Sequence, residues 1–201
     1  MIKLYGVPQS RAFRPLWMLH ELGLQFENVP THFAGGTRTA EFLKLNPNGH
    51  IPVLIDGDVV LWESLAINLY LAQKYGAQSL WPGSLADQGR TYQWSFWAMT
   101  EVEPNLLPVL LHRRALPKDQ RQASIADAAE AKLAGPFGVI DGALRSHEYL
   151  LGNAFTAADL NVASVLSWAP TAGVDLNKTP QLAAWLTRCT ERPACKAARG
   201  V

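Results

Sequence analysis

Over the first 76 residues, short apolar runs alternate with apolar positions at helical spacing. Ile2 to Tyr5 reads as a strand, followed by the loop Gly6-Val7-Pro8-Gln9. Ser10 is placed to cap a helix running to about Leu22, with Phe13, Leu16, Trp17 and Leu19 as its apolar side. Pro15 falls in the first turns, where proline is tolerated, and Gly23 ends the helix. Phe26 to Val29 predicts a second strand; a strand–helix–strand order predicts a parallel pair with a right-handed crossover. Thr39 to Lys44 reads as a short helix. Val53-Leu54-Ile55 and Val59-Val60-Leu61 read as two strands joined by the tight turn Asp56-Gly57-Asp58. Ser64 then caps a helix pattern that reaches Tyr75.

Into this order falls the stretch Asn46-Pro47-Asn48-Gly49-His50-Ile51-Pro52, a loop of turn formers that runs into the third strand. Proline cannot donate a ladder hydrogen bond, so Pro52 marks the strand's mouth and leaves the backbone N–H and C=O of Ile51 free to face something other than the sheet. Such a lip, near a helix start carrying Glu63 and Ser64, suits one end of a small zwitterionic peptide. It is also what an ordinary capped hairpin looks like.

After Gly76 the pattern changes. Residues 77–86 read as a linker centred on Trp81-Pro82-Gly83-Ser84, and from Asp87 onward there is no strand pattern. Tyr92 to Leu107 predicts one long helix kinked by Pro104, and Lys118 to His147 a second, kinked or split at Gly135-Pro136. A third helix runs through Trp168, opened by Thr156 and Asp159 in capping-box spacing with Phe155 and Leu160 as a hydrophobic staple. Gln181 to Glu191 is the last. The expected organisation is an α/β domain over 1–76 and an all-helical domain over 87–201.

Composition narrows the function. Hydrophobic residues make up 48% and charged ones 17%, which is globular rather than disordered. A net charge of +1 argues against nucleic acid as a partner. No apolar run is long enough to span a membrane, and the N-terminus lacks a signal-peptide pattern. Cys189 and Cys195 match neither zinc-site nor CxxC spacing, which predicts no metal and a reduced, cytoplasmic setting.

Four features together resemble the cytosolic glutathione transferase family, in its serine-type, bacterial-like form. Ser10 lies in the first strand–helix turn, with Arg14 four residues on. Asn46 to Pro52 is similar to the family's cis-proline loop. Glu63-Ser64 is similar to its γ-glutamyl contact. Phe155-Thr156-Ala157-Ala158-Asp159-Leu160 is similar to its folding motif. The resemblance implies a thioredoxin-like N-terminal domain, a helical-bundle C-terminal domain, a homodimer, and an active site between the two domains. It implies a cis Ile51–Pro52 bond, with the Ile51 backbone pairing the cysteinyl part of glutathione. Glu63 and Ser64 would hold the γ-glutamyl end, and His50 and Arg38 would lie near the glycine carboxylate. A second-substrate pocket would take Val7, Trp97, Glu101 and Trp168; Asn105 shares the helical spacing of Trp97 and Glu101.

Within that resemblance Ser10 has a definite task. A free thiol has a pKa of about 8.5, so only a few per cent is thiolate at pH 7. Lowering it by about two units takes roughly 2.7 kcal/mol. A hydrogen bond to a charged group supplies about 1.5–3 kcal/mol, and a helix N-terminus about 0.3–1 kcal/mol. One hydroxyl therefore suffices, as a donor to sulfur and not as a nucleophile. The alternative reading of Ser10 is that it does no more than cap its helix, and Tyr5 is a rival donor whose place in a strand favours packing. Serine in place of cysteine favours conjugation, addition or peroxide reduction over thiol–disulfide exchange. The competing function is a non-catalytic binding or protein-interaction module that keeps the same fold.

Overall fold

The computed structural model describes residues 1–33, 35–77 and 79–200. Two compact units are present. One comprises Met1–Trp81 together with Glu191–Val201, the other Pro82–Thr190.

The first unit is built on a four-stranded sheet of order β2-β1-β3-β4. Its strands are β1 (Ile2–Tyr5), β2 (Phe26–Val29), β3 (Val53–Asp56) and β4 (Val59–Trp62). β1 and β2 are parallel, and the remaining pairs are antiparallel. The expected crossover is made by α1 (Phe13–Glu21). α2 (Ala40–Leu45) and α3 (Ser64–Tyr75) complete the βαβ, short helix, ββα order. Thr39 caps α2, its side chain accepting from the Phe42 N–H. Opposite Ile2, Asp56 ends β3 beneath α3. There its Oδ2 accepts from Tyr70, Lys74 and Tyr75 at 3.0, 2.8 and 2.8 Å. Burial pushes the Asp56 carboxyl up, but those three donors outweigh it and leave the group below the usual carboxylate range.

Three expectations for this unit need correction. α1 begins at Phe13, not beside Ser10, because residues 10–14 wind in i→i+3 turns: Phe13 N–H bonds Ser10 C=O and Arg14 N–H bonds Arg11 C=O. Glu63, not Ser64, is the capping residue of α3, and Ser64 is the first helical one. The third concerns the C-terminal segment, expected to belong with the helical domain. After α9 (Pro180–Thr190), Arg192 sends the chain into α10 (Pro193–Arg199), which packs on α1. Arg192 grips Glu21 through Nε at 2.6 Å and Nη2 at 2.8 Å, and Glu21 also accepts from Trp17 Nε1. Arg199 lies over the Phe13 ring, and burial raises the Cys195 thiol pKa.

The second unit is helical. α4 (Leu85–Trp97) starts well before Tyr92 because Ser84 caps it, accepting from the Asp87 N–H. A π-helical segment, Ala98–Val102, then leads into α5 (Glu103–Leu110), and a second, Leu111–Ala115, follows. Pro104 and Pro108 have no N–H to give to the preceding turn, so the α ladder cannot run through unbroken. α6 (Ala123–Ala143) is continuous through Pro136 instead of splitting there. Leu133, Phe137 and Ile140 stay buried on one face across the proline, which offsets the missing bond. α7 (Ala157–Leu166) and α8 (Trp168–Thr171) divide the helix expected to reach Trp168. The Thr156–Asp159 capping box is present, and Phe155 and Leu160 are both buried.

Candidate active site

The site is built where the β1–α1 turn meets the loop before β3. Gly6 makes the meeting possible. Its φ is +144°, and a Cβ there would lie 2.4 Å from Ala12 Cβ and 3.6 Å from Ile51 Cβ. The 6–12 turn is thereby laid against Ile51. Ser10 sits on that turn, half-buried. Its hydroxyl donates to Val7 C=O at 2.7 Å and accepts from Ala12 N–H at 3.1 Å. A hydroxyl has one proton, so donation to any ligand requires Ser10 to swing off the Val7 carbonyl.

The opposing loop is organised by Asn46, a buried residue that sequence reasoning treated only as a turn former. Its Nδ2 donates to His50 C=O at 2.7 Å, and its Oδ1 accepts from Asn48 N–H at 3.0 Å. The Ile51–Pro52 bond is cis. The sheet ladder begins one residue later, with Val53 opposite Tyr5, so Ile51 precedes the paired segment. Its side chain packs with Val7, Phe42 and Val53, and Tyr5 lies against the same cluster. Tyr5 meets Phe42 edge-on at 6.2 Å, the packing role expected of it.

Arg38 and His50 are both exposed, and Gly49 ties them together. At φ +63°, a Cβ on Gly49 would stand 2.6 Å from Arg38 Nη1, so the guanidinium lies against the loop that carries His50. The close approach links the Arg38 loop to the loop that carries His50.

Glu63 is the only non-glycine residue with positive φ among the described residues, at +72°. Backbone in such a region costs about 1–3 kcal/mol and collects at ligand sites. The Glu63 side chain is exposed, while its carbonyl accepts from Ile67 N–H. Ser64 follows at the N-terminus of α3, a place where backbone N–H groups favour anions. Arg14 Nη1 donates to Ser64 Oγ at 3.2 Å, a contact between residues that are both buried.

Of the four residues expected for a second substrate, Val7 belongs to the first unit and Trp97, Glu101 and Trp168 to the second. Val7 is buried in the Ile51 cluster. Trp97 is half-buried against Trp94, with ring centroids 5.1 Å apart. Glu101 lies within the π segment, which breaks the regular spacing expected to align Trp97, Glu101 and Asn105. Asn105 instead donates its side chain to Glu101 C=O at 3.0 Å. Arg113 pairs with Asp127 and Glu130, and His112 Nδ1 accepts from Gln122 N–H.

A mixed sheet with a cis-proline loop at its mouth, followed by a helical unit, is the thioredoxin-like and all-helical pairing expected from the sequence. Comparison with known proteins agrees. The profile of the glutathione S-transferase N-terminal domain matches residues 1–73, and that of the C-terminal domain residues 102–193. Glutathione S-transferase 3 of Zea mays is 35% identical over 202 residues, covering 96% of this chain and 90% of its own. Glutathione S-transferase GstB of Escherichia coli K12 is 30% identical over 200 residues, covering 98% and 96%. The structure of the theta class enzyme from Xanthomonas axonopodis pv. citri, solved with glutathione bound, superposes with a TM-score of 0.93 at 28% identity, covering 100% and 97% of the two chains. Glutathione transferase F7 of Populus trichocarpa gives 0.91 at 30%, covering 100% and 98%. The chain belongs to the glutathione S-transferase family.

Proposed function

We propose that this protein is a glutathione transferase that binds glutathione on the first unit and lowers the pKa of its thiol through Ser10, for attack on small, mostly apolar electrophiles. The observation that carries this is the close approach at Gly6, which sets the Ser10 turn against Ile51. In this reading the Ile51 backbone, ahead of the β3 ladder, pairs with the cysteinyl residue. Glu63 meets the γ-glutamyl amine, while Ser64 and the start of α3 meet its carboxylate. Arg38 and His50 attract the glycine carboxylate. The Ser10 hydroxyl exchanges the Val7 carbonyl for the sulfur, and since the new acceptor is charged the exchange favours the thiolate.

Peroxide reduction by the same thiolate, a role in detoxification, and a cytoplasmic site of action belong to this proposal. The two free, buried cysteines agree with a reducing compartment. A homodimer belongs to the proposal as well: Leu85 and Phe96 on α4 are 84% and 65% exposed, apolar surface of the kind a partner covers. Retention on immobilised glutathione, followed by turnover of a panel of electrophiles and one hydroperoxide, tests the assignment. Binding without turnover on any of them would instead favour the non-catalytic module. Sedimentation velocity at micromolar concentration tests the dimer, and a purely monomeric species would overturn it.

A further inference from the structure

We propose that Arg14 is a positioning residue for the γ-glutamyl carboxylate of glutathione, acting through Ser64; this rests on the glutathione reading above. Fifty residues separate the two in sequence, yet Arg14 Nη1 donates to Ser64 Oγ at 3.2 Å. Arg14 is only 1% exposed, so it serves the site from behind. A guanidinium carries donors and no acceptor, which decides how the contact works. Ser64 Oγ accepts from Arg14, and its single proton remains for a different partner. An oxygen that already accepts from a cation is polarised and becomes a stronger donor.

The surroundings fit an anion as that partner. Ser64 is the first residue of α3, a 12-residue helix whose opening N–H groups and dipole both favour negative charge. Glu63, immediately before, has the left-handed φ that turns the chain into the helix. Ser64 is thus held from its backbone by that turn and from its side chain by α1. Lysine could keep the charge at position 14 but not the planar fork that fixes the direction of donation.

The test compares two peptides: glutathione and 4-aminobutyryl-cysteinylglycine, which is the same molecule without the α-carboxylate of the γ-glutamyl residue. Dissociation constants are measured by calorimetry for wild type, Arg14→Lys, Arg14→Met, Ser64→Ala and the Arg14→Lys/Ser64→Ala double variant. Wild type should prefer glutathione. Arg14→Lys should weaken glutathione about tenfold, the loss of one charge-assisted hydrogen bond, and leave the analogue within about twofold. In the Ser64→Ala background, Arg14→Lys should add almost nothing, because the residue it acts through is gone. Equal weakening of both peptides, or full additivity of the two substitutions, would overturn the proposal and make Arg14 purely structural. If Arg14→Met does not fold, Arg14→Lys, which keeps the buried charge, decides the question. A wild type that binds neither peptide refutes the glutathione reading itself. One that binds both equally refutes the Ser64 contact.

Discussion

Replacing Asp159 by alanine should destabilise the second unit by more than a helix cap is ordinarily worth. The carboxylate is fully buried and accepts four hydrogen bonds. Oδ1 takes Leu150 N–H at 2.8 Å and Trp185 Nε1 at 3.0 Å; Oδ2 takes the Thr156 N–H and hydroxyl, both at 3.0 Å. In the alanine variant the Thr156 hydroxyl can rotate, but three N–H donors are stranded. At about 1–3 kcal/mol each, the gross loss is roughly 3–6 kcal/mol after partial relaxation. Against that, burial pushes the Asp159 carboxyl pKa up, so enclosing the charge carries its own penalty, which alanine relieves. The net is about 2–4 kcal/mol. For a chain of this size, 1 kcal/mol moves Tm by about 2–4 °C, so Tm should fall by about 5–15 °C. Asp159→Asn keeps one acceptor oxygen for two of the donors but turns an NH2 toward Thr156, and should lose about half as much. Thermal unfolding by circular dichroism measures both, and glutathione affinity well below Tm should stay at the wild-type value. A fall of less than about 2 °C for alanine, or an asparagine variant no more stable than the alanine one, would refute the accounting.

Ser10→Ala should raise the pKa of bound glutathione by about one to two units and slow conjugation near pH 7 about ten- to a hundredfold, with partial recovery as pH rises. A mutant that keeps its thiolate absorbance at pH 7 would leave Ser10 a turn-forming residue only. Asp56→Asn should lower Tm at pH 7, with the gap to wild type closing in acid. Its carboxyl is held below the ordinary range, so its contribution is present above the unfolded pKa of about 3.9 and lost as pH falls through the folded value. A gap unchanged at low pH would count against the cluster with Lys74, Tyr70 and Tyr75. Arg192→Ala strips the partner from Glu21, whose side chain is only 7% exposed, and should cost about 1–3 kcal/mol, read as a lower midpoint in urea. No shift would mean that α10 is not fastened by that pair.

Several features could be read from local chemistry alone. The strand boundaries of β1 and β2, the Asp56–Val59 hairpin, the end of α3 at Tyr75 and the Thr156–Asp159 capping box are visible because each depends on residues within a few positions of one another. Alternation, turn formers and caps act over that range. Where the sequence erred, distant residues had intervened. Ser10 looks like a cap, but Gly6 and Ala12 pack so closely that the chain must turn twice more before α1 begins. The same holds for Pro136, which reads as a break until Leu133, Phe137 and Ile140 are seen buried together. Nothing near residues 191–201 announces that they join the first unit, because the carboxylate receiving Arg192 is at position 21. The residue types of the candidate site were thus legible, since a hydroxyl, a proline loop and a Glu-Ser pair carry their chemistry with them. Their assembly was decided by contacts between residues well beyond the reach of a turn or a cap, Gly6 with Ile51, Arg38 with Gly49 and Arg14 with Ser64, which form only when the fold brings those segments together.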